Sequence, residues 1–174
     1  MRDGKDEQMI LTKKEILKEI KGGRVKIQPF DKNAIGPASI DLTLGDELRI
    51  FNSEKAVISE KTDYKKISKI IKINKGYDLK PGELVLGITK EKITLPENIA
   101  GWINSRSRFA RIGLMSHITA PFVAPGVSNK QVLEIYNAGN NTIKLLPNTK
   151  ICQLVLQECK GNAKYNGKFK NQEL

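Results

Sequence analysis

From Val25 onward the chain is a series of short β-prone runs, each cut by glycine, proline or asparagine. This punctuation constrains the fold more than any other feature. Val25 to Ile27 stops at Pro29, Ser39 to Leu44 stops at Gly45, and Leu48 to Phe51 follows. Glu83 to Thr89, apolar and β-branched, lies behind a Pro81-Gly82 turn. Gln131 to Tyr136, Ile143 to Leu146 and, after Pro147-Asn148, Ile151 to Leu156 continue the series. Strands at this spacing predict an all-β sandwich or barrel, often of jelly-roll type.

One segment carries a different period. Residues 10–21 (ILTKKEILKEIK) predict a short amphipathic helix with Ile16, Leu17 and Ile20 as its apolar stripe. Thr12 is the expected N-cap, with Glu15 at the capping-box spacing, and Gly22 and Gly23 end the helix. Residues 1–8 are charged and aperiodic, which predicts a flexible extension ahead of a single domain over 9–174. Residues 55–75 are lysine-rich and give no clear element.

Lys and Arg number 30 against 19 Asp and Glu, a formal charge of +11 that favours anionic partners. Most of the excess is scattered among isoleucines and acids, as on a solvated face. Aromatics are only 6%, and no basic run interleaves with them, so nucleic-acid binding gains nothing beyond net charge. No apolar run approaches a bilayer span, and the N-terminus lacks a signal-peptide layout, so a cytoplasmic protein with no membrane partner is expected. A zinc nucleobase deaminase uses a His or Cys ligand, a nearby Glu and a Cys-x-x-Cys pair. Here His117 is the only histidine, and Cys152 and Cys159 are seven positions apart. No metal ligand set is expected, and the two thiols should be reduced.

Two segments carry candidate chemistry. In Asn104 to Leu114, Arg106, Arg108 and Arg111 surround Ser107, a pattern of guanidinium forks and hydroxyls that suits phosphate oxygens. On a helical turn Ser107 and Arg111 share a face. An exposed basic turn is the plain alternative. In Val132 to Asn137, strand alternation sends Leu133 and Ile135 one way and Glu134 the other, beside Val132 and Tyr136. A carboxylate among such neighbours is partly shielded from water, as a proton shuttle requires. A surface glutamate on a half-buried strand is the alternative.

Ordered motifs spread over nearly everything after Met9 resemble the dCTP deaminase and dUTPase superfamily. They are PASIDLTLG (37–45), the run from Leu79 through NSRSRFARIGL, HITA, APG, VLEIYNAG and PNTKICQLVL, and the tail YNGKFKNQ (165–172). The resemblance implies a distorted jelly-roll β-barrel of the dUTPase type and a homotrimer with active sites between subunits. It also implies no protein-bound cofactor, Mg²⁺ arriving with the nucleoside triphosphate, and a tail lid from about residue 162. Glu134 stands where the family's deaminases carry a catalytic glutamate, so the resemblance favours deamination of dCTP. It implies Glu134 as proton shuttle, with Ser107 and Arg111 holding the water and the developing charge. Arg106, Arg108, Phe109 and Ala110 belong to the implied phosphate segment. The backbone near Thr119 and Ala120 lines the implied base pocket, Ala124, Val132 and Leu133 belong to the implied substrate-binding set, and Tyr165, Lys168 and Gln172 close over the triphosphate.

The sequence departs from the family pattern at Ala124, where an aspartate usually faces the sugar, and at Arg108, where a serine is usual. The tail ending at Leu174 is shorter than the pattern, which predicts a short or loosely held lid. Ala124 argues against two alternatives that stay open, a dUTP diphosphatase and a bifunctional enzyme giving dUMP and pyrophosphate, and the departures together motivate a third, a catalytically weakened nucleotide-binding regulator.

Overall fold

The computed structural model describes residues 9–52 and 55–174, so the extension expected over residues 1–8 lies outside the described residues. Helix α1 spans Lys13–Lys21, with Thr12 as N-cap and Gly22 as C-cap. The expected capping box does not form. Thr12 makes no side-chain cap bond, and Glu15 pairs with Lys18 at 3.2 Å. The ammonium lies one turn on along the same face, which draws the carboxylate away from the cap. Ile16 is fully buried, and Leu17 and Ile20 pack against the core as their spacing requires.

The strands follow in chain order: β1 (Lys26–Gln28), β2 (Ile40–Phe51), β3 (Ser68–Lys72), β4 (Tyr77–Leu79), β5 (Leu84–Thr94) and β6 (Ile99–Ser105). The short helical turn α2 (Ser107–Ala110) leads to β7 (Leu114–Met115) and β8 (Phe122–Val123). Then come β9 (Ser128–Asn137), β10 (Ile143–Leu145) and β11 (Lys150–Glu158). Among the described residues the main sheet runs β7-β9-β5-β2-β11-β6-β8, with β1 added to β5 and β3 to β2. The pairings are antiparallel, and the sheet curls into a half-barrel; β4 and β10 form a separate ribbon. The fold is mostly β, as expected.

β2 corrects one expected boundary. It runs through Gly45 as a single strand, with a register shift against β5 between Leu44 and Leu48. Glycine here marks an irregularity within the strand rather than its end. β6 was not expected, because Ala100 and Gly101 dilute its apolar pattern.

Alternate residues of β2, β5, β9 and β11 feed one hydrophobic cluster that extends from Leu11 to Leu156. On β9 this buries Leu133 and Ile135 completely and leaves Val132, Glu134 and Tyr136 on the other face. The register aligns that face across three strands, since Leu86 of β5 pairs with Arg49 of β2 and with Glu134 of β9. No helix among the described residues is long and apolar enough to cross a membrane.

Candidate active site

Glu134 opens into a cavity of about 500 Å³ on the outer face of β5 and β9. One wall is apolar: Leu84 and Leu86 share the pleat of Glu134, and Phe51, Tyr64 and Phe122 border them. Tyr64 is backed by Arg49, whose guanidinium carbon lies 5.5 Å from the ring centroid. Arg49 is only 6% exposed and also donates to the Ser68 hydroxyl at 3.2 Å. The segment from His117 to Ala120 and the tail residues Tyr165, Phe169 and Gln172 complete the lining.

The carboxylate is held by the segment from His117 to Ala120. Glu134 Oε2 accepts from the Thr119 amide at 2.7 Å and from the Thr119 hydroxyl at 2.6 Å. Two donors on one oxygen fix the group's orientation and leave Oε1 without a hydrogen bond among the described residues. His117 braces the same strand. Its Nδ1 accepts from the Glu134 amide at 3.2 Å, while its Nε2 lies 2.8 Å from the Ala120 carbonyl. A carbonyl only accepts, so the proton sits on Nε2 and both ring nitrogens are occupied by the backbone. Among the described residues, no three of His, Cys, Asp and Glu gather into a metal-holding group.

Of the residues anticipated for the site, Thr119, Ala120, Ala124, Val132, Glu134, Tyr165 and Gln172 line this cavity. Leu133 does not, because its side chain is buried in the core and only its backbone stays with β9. Lys168 turns to the ring of Phe169, 5.9 Å from the centroid, and does not line the cavity either. The turn bearing Arg106, Ser107, Arg108, Phe109, Ala110 and Arg111 also lies outside it. There Ser107, Arg108 and Arg111 are exposed, and their side chains make no hydrogen bond or ion pair among the described residues. Arg106 is engaged within its own chain, pairing with Asp41 at 3.1 Å and donating to the Lys150 carbonyl at 2.7 Å.

The tail is docked rather than loose. Asn129 donates its side-chain amide to the carbonyls of Phe169 and Lys170, at 3.0 and 3.2 Å. Asn129 is itself fixed by Gln131, which donates to its side-chain oxygen at 2.6 Å, and Gln172 donates to the Lys130 carbonyl at 2.9 Å.

Residues 10–159 match the family model described as dCTP deaminase-like. The chain belongs to the dCTP deaminase-like family. A dCTP deaminase of Marinomonas sp. is 36% identical over 182 residues, covering 94% of each chain. A protein of Corynebacterium glutamicum named "dCTP deaminase, dUMP-forming" is 35% identical over 174 residues, covering 94% of this chain and 92% of that one. Among solved structures, the 2'-deoxycytidine 5'-triphosphate deaminase of Agrobacterium tumefaciens superposes with a TM-score of 0.70 at 18% identity. That match covers 87% of this family member but only 48% of the solved chain, so it spans about half of that chain's length. The EIAV dUTPase superposes with a TM-score of 0.51 at 18% identity, covering 83% of this chain and 96% of that one. The fold is therefore shared with dUTPases as well as deaminases.

Proposed function

We propose that this chain deaminates dCTP hydrolytically, giving dUTP and ammonia. The observation that carries the reading is Glu134, a carboxylate set in a half-apolar cavity with one oxygen tied to Thr119 and the other free. The reaction adds water to C4 of cytosine and expels the amino group. Glu134 Oε1 takes a proton from the attacking water and delivers it to the ring nitrogen beside C4. A second transfer, from the new hydroxyl to the amino group, lets ammonia leave and C4 become a carbonyl. A shielded carboxylate suits this shuttle, since it must accept and return protons within one cycle. Both nitrogens of His117 are spent on the backbone and the cysteines lack ligand spacing. The donor set therefore fits a reaction run on the carboxylate without zinc, with Mg²⁺ entering as part of the substrate.

Ser107 and Arg111 are the proposed partners that hold the water and steady the charge on the adduct. In a single chain they lie outside the cavity of Glu134. A homotrimer, in which the α2 turn of one subunit completes the cavity of the next, reconciles the two locations. The unpaired Arg108 then faces the phosphates, and Tyr165 and Gln172 close the tail over them.

A second reading has one observation in its favour, namely relatives such as the Corynebacterium glutamicum protein that are named as dUMP-forming. Incubation with Mg²⁺ and dCTP or dUTP, assaying ammonia and pyrophosphate, separates the two. Ammonia alone from dCTP is expected. Ammonia with pyrophosphate would establish the bifunctional reading, pyrophosphate from dUTP alone a diphosphatase, and neither product a nucleotide-binding regulator.

A further inference from the structure

Asp41 sits within the segment Pro37 to Gly45, on β2, and the proposed chemistry makes no use of it. β11 lies between β2 and β6, with Gln153 paired to Asp41 on one side and to Asn104 on the other. Arg106 leaves the end of β6 and reaches back over β11. Its Nη1 donates to the Lys150 carbonyl at 2.7 Å, and its Nη2 lies 3.1 Å from Asp41 Oδ2. The two side chains are only 24% and 21% exposed, and the guanidinium carbon is 6.0 Å from the Phe109 ring centroid. The same residue starts α2 with its backbone, for the Arg106 carbonyl accepts from the amides of Phe109 and Ala110 at 2.9 and 3.0 Å. Arg106 thus anchors the turn at both its main chain and its side chain.

We infer that Asp41 is a positioning residue that clamps Arg106, and through it aims the Ser107 to Arg111 turn. These contacts commit two of the five guanidinium donors to the fold, and breaking such a part-buried pair leaves a carboxylate uncompensated. The exposed Arg108 and Arg111 carry no such commitment. What the turn touches rests on the deaminase reading; the clamp itself does not.

Asp41→Asn removes the carboxylate's charge and keeps its size. The change loosens the turn and weakens nucleotide binding. Affinity for Mg·dCTP and deamination kinetics should be measured for the wild type, Asp41→Asn, Arg106→Met and the double variant. Each single change is expected to weaken affinity on the order of tenfold, with the double variant no worse than the weaker single, because both remove one contact. Unchanged or tighter binding by Asp41→Asn, or a double variant whose loss is the product of the two, overturns the inference.

Amide hydrogen exchange over residues 107–112 tests the clamp without reference to any nucleotide. Asp41→Asn should speed exchange there while β9 keeps its protection, and unchanged exchange in the turn overturns the inference. Should the wild type neither bind nor deaminate dCTP, the deaminase reading falls and exchange alone decides the clamp. If Asp41→Asn does not fold, Asp41→Glu, which keeps the charge but displaces it, is read by the same two measurements.

Discussion

Thr119 donates twice to one oxygen of Glu134, through its amide at 2.7 Å and its hydroxyl at 2.6 Å. The amide bond depends only on the backbone, whereas the hydroxyl bond belongs to the side chain. Thr119→Val keeps the shape and removes the second donor. A hydrogen bond to a charged group contributes about 1.5–3 kcal/mol. Loss of orientation on that scale should lower kcat for dCTP by roughly 10- to 100-fold, with Thr119→Ser close to the wild type. Equal kcat in the valine and serine variants would detach the hydroxyl from the chemistry.

Glu134→Gln keeps the size and the acceptor for Thr119 but cannot take a proton from water. Deamination should fall on the order of 10²- to 10⁴-fold. The subunit assembly, read by light scattering, should stay as in the wild type. Turnover within a few-fold of the parent would remove the carboxylate from the mechanism.

Glu134 was legible in the sequence because strand alternation is local: Leu133 and Ile135 go inward, so Glu134 goes out beside Val132 and Tyr136. α1 was equally legible from the spacing of Ile16, Leu17 and Ile20. The apolar lining beside it was not. Phe51, Leu84 and Leu86 meet Glu134 only through the register of β2, β5 and β9, and register between distant strands leaves no local mark. Tyr64 comes from a lysine-rich stretch with no apolar period and is placed by Arg49 beneath its ring. The Asp41–Arg106 pair spans an intervening strand, so each residue looked free when read in its own segment.

Cys152 is fully buried on β11, and burial, then the carboxylates of Glu91 and Asp41, push its thiol well above the usual range. A thiol that is both shielded and protonated does not react at neutral pH. Cys159 is partly exposed. A colorimetric thiol assay should therefore count one reactive cysteine in the folded protein and two in denaturant. Two fast-reacting thiols without denaturant would show that β11 opens readily.

Tyr77 of β4 donates its hydroxyl to Glu83, and burial followed by that carboxylate raises its pKa from 10.0 to about 12. The folded value exceeds the unfolded one, so the stabilisation is whole below pH 10 and is lost as pH rises through 12. Lysines titrate in the same window, which makes a comparison with Tyr77→Phe necessary. The advantage of the wild type over this variant in urea midpoint should be constant well below pH 10 and fall to a small remainder at pH 12. An advantage that persists undiminished at pH 12 would rule out the linkage.

Gly113 closes the turn that carries Ser107 and Arg111, and it does so in a conformation and a space that only glycine accepts. Its φ is +86°, and a Cβ placed there would stand 2.4 Å from the Gly139 amide nitrogen. The neighbouring chain is also bonded to it, since Ala138 donates its amide to the Gly113 carbonyl at 2.8 Å. Gly82 supplies the control, with a similar φ of +75° and nothing within 4 Å of the added carbon. Left-handed backbone alone costs an L residue about 1–2 kcal/mol, so Gly82→Ala should lose about that much stability. Gly113→Ala carries the same strain plus a backbone clash, and should lose several-fold more while also displacing the turn. Urea unfolding of the two variants checks the difference, and equal losses would mean that the contact with Gly139 yields without cost.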